Sequence, residues 1–166
     1  MTVDPGFEAF YSANYHRFVV QLFAVTGSMH DAEDAVQEAF ARASTRWERL
    51  RDYDAPEAWV RRVAFNLALN ELRRARRFVA ALARMGPPAD VPALAADDVD
   101  LVAGLGRLPV RHRQVLVLHH LADLPVEQVA RELGIPVGTA KSRLRRAREA
   151  LARELAGRGE VGRAKR

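Results

Sequence analysis

The run LPVEQVARELGIPVGTAKSRLRRAREAL, Leu124 to Leu151, admits few folds: it reads as two short helices joined by a glycine-containing turn, the second rich in arginine. That is the layout of a helix-turn-helix. From Val137 onward, Ala140, Leu144, Ala147 and Leu151 recur at steps of four, three and four, which places them on one stripe of a 3.6-residue helix. Gly138, Lys141, Ser142, Arg145 and Arg146 then face the other way. Small and cationic side chains on that face suit a helix lying in a DNA major groove, where Arg and Lys fork onto guanine edges and phosphates. Pro125 and Pro136 fit the first turns of the two helices, and Gly134 supplies the left-handed residue that ends the first. A basic helix face alone is usually no more than a solvated face; the two proline-opened helices around a glycine turn tip the balance towards DNA.

Charge is distributed in a way that supports a polyanion partner. Residues 1–50 carry four cations against seven acids, residues 51–85 eight against four, residues 86–104 none against four, and residues 105–166 fourteen against six. Two basic blocks separated by an acidic gap imply two separate contacts with nucleic acid. The chain has no cysteine, so disulfides, thiolate zinc sites and thiol catalysis are excluded. The apolar run Phe18 to Val25 is short and broken by Gln21, and Asp4 and Glu8 replace the basic start of a secretory leader. The expectation is a cytoplasmic chain without membrane insertion.

The pattern predicts an all-α fold. Phe7, Tyr11, Tyr15, Phe18 and Leu22 make an aromatic core stripe on a first helix over residues 7–25. Ser28, three residues before Asp31, resembles a capping arrangement opening a second helix that runs to about Trp47. Ala32, Val36, Ala39, Phe40, Ala43 and Trp47 fall on its inner side and Asp31, Asp34 and Glu38 nearly opposite. Those carboxylates do not read as a metal site or as the centre of a metal-dependent phosphodiesterase, because no further ligand is positioned nearby in sequence. They leave two readings, a solvated face or an acidic docking surface for a basic protein.

A third helix begins near Ala55, with Val60, Val63, Ala64 and Leu67 inward. Arg62, Asn66, Asn70, Arg73 and Arg77 recur along it as a stripe of cations and amides, a phosphate-and-base surface by type. Trp59 and Phe65 read first as core plugs and second as stacking surfaces for unpaired bases. From Phe78 to Val102, alanines, Gly86, Pro87, Pro88, Pro92 and the acids Asp97, Asp98 and Asp100 read as a linker. Leu101 to Leu108 and Val110 to Leu121 read as short helices, His112, His119 and His120 as packing residues rather than ligands, and Gly157 to Arg166 as a disordered tail.

DAEDAVQEAFARA at Asp31 to Ala43, PEAWVRRVAFNLALNELRRARR at Pro56 to Arg77, and LPVEQVARELGIPVGTAKSRLRRAR at Leu124 to Arg148 closely resemble, in this order and spacing, the bacterial extracytoplasmic-function sigma factors. The short, Ala- and Arg-rich form looks like the SigE-like branch of that family. The resemblance implies two small helical domains, a sigma2-like one over 1–78 and a sigma4-like one over 103–156, joined by a linker over 79–102 and followed by a tail over 157–166. It implies core RNA polymerase and promoter DNA as partners, an anti-sigma protein as a candidate third, no cofactor, no metal and no enzymatic activity. Asp31, Asp34, Gln37 and Glu38 then correspond to the residues that dock on the polymerase clamp helices. Arg61, Arg62, Asn66, Asn70, Arg73 and Arg74, with the loop Arg51 to Ala55, correspond to the minus-10 surface, where a flipped base is expected. Lys141, Ser142, Arg145 and Arg146 correspond to minus-35 readers, with Arg143 and Arg148 on phosphates. Asn70 stands where the family often has an acid, and Pro125 and Pro136 where it often has Ser. The competing reading is a stand-alone helix-turn-helix repressor or activator, which leaves the acidic motif and the second basic stripe unexplained.

Overall fold

The computed structural model of the protein describes residues 4–83 and 99–163. Every regular element among them is helical. The chain divides into two compact units, residues 1–93 and 94–166.

The first unit is built on α1 (Pro5–Thr26), α2 (Met29–Ser44), the single turn α3 (Trp47–Leu50) and α4 (Pro56–Ala83). Local chemistry sets the ends. The Asp4 carboxylate accepts the backbone N–H of Gly6 at 2.7 Å, Pro5 opens α1 where no donated N–H is needed, and Gly27 closes it at φ +75°. Ser28 Oγ then accepts the Asp31 N–H at 3.2 Å, as the capping reading required.

Phe40 is the hub of the core, with the rings of Phe10, Tyr11 and Phe18 centred 5.7, 4.9 and 6.0 Å away. Alanines at 32, 35, 39 and 43 flank it on the buried side of α2, and such small residues let helices approach closely. Trp47 does not belong to α2, which stops at Ser44; it lies on α3 and closes the bundle end against Phe7 and Phe10, at 5.4 and 5.0 Å. Val60, Ala64 and Ala68 form the buried side of α4.

Gln21 sits in this core at 1 % exposure, and neither its Nε2 nor its Oε1 finds a hydrogen-bond partner among the described residues. An unsatisfied buried amide costs about 1–3 kcal/mol. Gln21→Leu, close in volume, is therefore expected to raise stability by about 1 kcal/mol. Chemical denaturation measures it, and a midpoint at or below wild type would contradict the reading.

The second unit contains α5 (Val99–Arg107), α6 (Val110–Leu116), α7 (Val126–Leu133) and α8 (Val137–Arg163). The expected single helix from Val110 to Leu121 is divided: after Leu116 the chain widens into a π-turn over Val117–Leu121. A strict 3.6 period cannot announce such a widening. Asp123, at φ +57°, reverses the chain, and Leu124 N–H reaches back to Leu118 O at 3.1 Å. Aspartate tolerates that conformation better than most residues. Gly134 takes φ +64° between α7 and α8, as expected. Pro125 precedes α7 as its cap and Pro136 precedes α8, one step outside the first turns assigned to them.

Helix reaches further than the sequence suggested at three ends. α4 continues to Ala83 and α5 starts at Val99, so both enter the segment read as a linker, whose residues 84–98 lie outside the described residues. α8 continues to Arg163, past the Gly157 where the tail was placed. Glycine weakens a helix by only about 1 kcal/mol relative to alanine, and no proline follows to stop it. No helix among the described residues is long and apolar enough to cross a membrane.

Candidate docking and nucleic-acid surfaces

α2 turns Asp31, Asp34, Gln37 and Glu38 outward, all exposed, because its alanine face is fixed against the core. None of the last three stands alone. His30 Nε2 lies 3.4 Å from Asp34 Oδ2, Arg42 Nε donates to Glu38 Oε1 at 2.7 Å, and Gln37 Nε2 donates to Tyr15 Oη at 3.3 Å. Both contacts, the His30–Asp34 contact and the Arg42–Glu38 ion pair, are exposed, i,i+4 in spacing and weak, so a partner's cation can replace them at little cost. Sequence reading missed Tyr15 as part of this edge, since its spacing matched the core stripe.

On α4, Arg62, Asn66, Asn70, Arg73 and Arg74 are exposed and fall within about 120° of arc at the helical repeat. Arg73 Nη1 donates to Asn70 Oδ1 at 3.4 Å, and Arg74 pairs with Glu71 at 3.7 Å. Arg61 does not share this surface. It is 3 % exposed, with its guanidinium 5.8 Å from the centre of the Phe18 ring. One residue before Arg62, it is rotated by about 100° towards the Val60 and Ala64 side, which separates it from the exposed stripe.

Phe65 is buried, as a core plug should be, while Trp59 is half-buried with Arg46 stacked 5.9 Å over its ring. In the loop before α4, Tyr53 is an exposed aromatic that sequence reading did not single out. Its signal was an aromatic ring in a polar interhelical loop. Arg51 in the same loop pairs with Asp4 at 3.7 Å.

α8 sorts its cations by direction. Lys141, Arg145 and Arg146 are exposed and Ser142 half-buried, opposite buried Ala140, Leu144 and Ala147. Arg145 Nη1 is held by Glu149 Oε1 at 2.6 Å, and Ser142 Oγ donates to Thr139 O at 3.0 Å. Arg143 and Arg148 leave this face on opposite flanks. Arg143 acts electrostatically on His112 of α6, and Arg148 Nε donates to His120 Nε2 at 3.2 Å. Beside Arg148 and His120 a largely apolar groove of about 380 Å³ opens among Leu101, Leu105, Val117, Leu151 and Leu155. Sequence periodicity gave no sign of it, because it depends on the π-turn and on the approach of α8 to Gly104.

His120 must be neutral to accept from Arg148. Burial, then His119 and Arg148, lower its pKa against an opposing pull from Asp123; burial, then Arg111, Arg143 and Arg146, lower that of His112. A lowered folded-state value means that the unfolded chain binds protons more readily. The stability that these two histidines contribute is then fully present above the ordinary histidine value of about 6.5 and is lost as pH falls from there through their lowered folded-state values. Thermal melts between pH 7.5 and 5.5 should show falling midpoints, with a shallower fall in His120→Asn; identical profiles would refute the assignment.

Two helical units, one carrying an exposed acidic face on α2 and a stripe of cations and amides on α4, the other a helix-turn-helix with a basic face, have the features of a bipartite helical DNA-binding protein. Family comparison gives the class a name. Residues 10–78 match the model of sigma-70 region 2 and residues 99–151 that of sigma-70 region 4. The chain is 35 % identical over 143 residues to the ECF RNA polymerase sigma factor SigM of Mycobacterium tuberculosis, covering 85 % of this chain and 73 % of that one. It is 36 % identical over 131 residues to the RNA polymerase sigma-E factor of Streptomyces coelicolor, covering 77 % and 73 %. Its fold matches the sigma factor RpoE, solved with the anti-sigma factor NepR from Bartonella quintana, with a TM-score of 0.73 at 22 % identity over 92 % of this chain and 98 % of that one. The chain belongs to the ECF family of RNA polymerase sigma factors. Its function is promoter-specific transcription initiation with RNA polymerase, and a stand-alone helix-turn-helix regulator is not favoured.

Proposed function

We propose that each surface has a separate task in initiation. The α2 face of Asp31, Asp34, Gln37 and Glu38 docks on a basic helical surface of core RNA polymerase. The α4 stripe of Arg62, Asn66, Asn70, Arg73 and Arg74 holds the minus-10 element. Lys141, Ser142, Arg145 and Arg146 read the minus-35 element, with Arg143 and Arg148 on flanking phosphates. The observation that supports the division is the charge that predominates on each helix's own exposed face: Asp31, Glu33, Asp34 and Glu38 on α2, Arg62, Arg73 and Arg74 on α4, and Lys141, Arg145 and Arg146 on α8. The first charge suits a basic polymerase surface and the other two a polyanionic nucleic acid.

The minus-10 surface must hold a strand that has left its duplex, so it needs cations for the backbone and amides or aromatics for bases. Asn66 and Asn70 between the arginines of α4 meet that need, and Tyr53 offers a ring on which a flipped base stacks. The sigma2-like domain is the unit of α1 to α4 and the sigma4-like domain the unit of α5 to α8, their helices running past the 78, 103 and 156 bounds read from the sequence. Each presents few phosphate contacts, so firm promoter binding depends on both being held on core at once. The polymerase performs the chemistry; this chain supplies location and strand opening, works in the cytoplasm and needs no cofactor. An anti-sigma protein that covers these surfaces fits the same scheme.

Reconstitution tests the proposal. Core polymerase plus this chain should co-elute on a sizing column and start transcripts on genomic templates at positions that core alone does not use. No complex and no new start sites would overturn it.

A further inference from the structure

The exposed face of α2 does not end at α2. Gln37, at its edge towards α1, donates Nε2 to Tyr15 Oη at 3.3 Å, a contact that crosses 22 residues of sequence. Tyr15 is only half-buried. Its ring stacks on Tyr11 at 4.9 Å with 26° between planes, and both rings lean on Phe40, the core hub, at 6.3 and 4.9 Å. The ring is thus fixed from two sides, and its hydroxyl is aimed at a residue assigned to docking.

We propose that Tyr15 of α1 is a positioning residue of the polymerase-docking surface, holding the Gln37 amide and extending the acidic face of α2 with a rigid aromatic edge. The proposal rests on the docking role assigned to α2 above. Two physical arguments support it. A glutamine side chain free in solvent loses considerable rotamer entropy when it binds, and tethering it beforehand removes part of that cost. With one amide hydrogen committed to Tyr15, the Gln37 carbonyl oxygen remains to accept from a Lys or Arg of the partner. Tyrosine and arginine are, in addition, the residue types that concentrate binding energy at interfaces, because they pair a large apolar body with a polar tip. The occupant is therefore a helical polymerase surface that presents a cation opposite Gln37 and an aliphatic stem against the Tyr15 ring.

The experiment measures the Kd of the full chain for core polymerase, with wild type, Tyr15→Phe, Tyr15→Ala, Gln37→Ala, the Tyr15→Phe/Gln37→Ala pair and Glu38→Arg in parallel. Tyr15→Phe keeps the ring and deletes only the hydroxyl. It should weaken binding about 3-fold, and Tyr15→Ala about 10-fold or more. In the Gln37→Ala background the Phe substitution should cost nothing further, since the hydroxyl acts through Gln37. A purely structural role would lower the melting temperature of Tyr15→Phe and leave its losses additive with those of Gln37→Ala, and that outcome overturns the proposal. Unchanged affinity in Tyr15→Phe and Tyr15→Ala, with Glu38→Arg still impaired, overturns it too while leaving the docking role intact. If wild type fails to bind core, the docking role itself falls.

Discussion

Glu38→Arg is expected to weaken binding to core polymerase by about 100-fold, or about 3 kcal/mol, while leaving affinity for minus-35 duplex DNA within about 2-fold. Glu38 is the member of the α2 face that already holds a guanidinium, from Arg42 at 2.7 Å. Its surroundings are therefore built to satisfy a cation. Reversal replaces an attraction towards the polymerase with a repulsion and sets two like charges one helical turn apart, which costs the helix only a few tenths of a kcal/mol. The fold should survive, since Glu38 points away from the alanine face that packs α2. Because the contact is charged, the wild-type Kd should rise with salt and that of the variant much less. Equal losses in core and DNA binding would mean that the acids of α2 and the cations of α8 do not have separate tasks.

Much of the helical framework and of the charge it exposes was legible in the sequence. The period of the apolar residues located α1, α2, α4 and α8, and the same period told which charges face outward, because a helix buried on one side has no freedom over the other. Capping chemistry placed the start of α2 to the residue. What escaped the sequence has a common cause, namely that it depends on contacts between elements. Arg61 stands next to Arg62 and has the same chemistry, yet a rotation of about 100° puts it beside the Phe18 ring instead of on the exposed stripe. Tyr15 fits the core period and is still only half-buried, its ring 6.3 Å from that of Phe40 where the ring of Tyr11 is at 4.9 Å. The π-turn at Val117–Leu121 contains His119 and His120, consecutive residues whose rings are centred 4.7 Å apart. None of these is encoded in a local repeat.

Direction along α8 also separates Arg145 from Arg148, which composition cannot distinguish. Arg145 lies on the outer face, and Glu149 holds it at 2.6 Å one turn further on. A guanidinium pinned by a carboxylate is oriented before DNA arrives, at the cost of a partner it must release. Arg145→Ala is expected to relax minus-35 choice, with a loss of about 1–3 kcal/mol confined to the base pair it contacts and near-equal binding of templates altered there. Arg148 offers a contrast, since its Nε is bound to His120 on the flank of the helix. Arg148→Ala should weaken all sequences alike and reduce the salt slope by about 1. Binding of reconstituted holoenzyme to a library randomised across the minus-35 element, at two salt concentrations, resolves the two. If Arg145→Ala lowers every sequence equally, Arg145 is a phosphate clamp, and the reading role passes to Lys141, Ser142 and Arg146 on the same face.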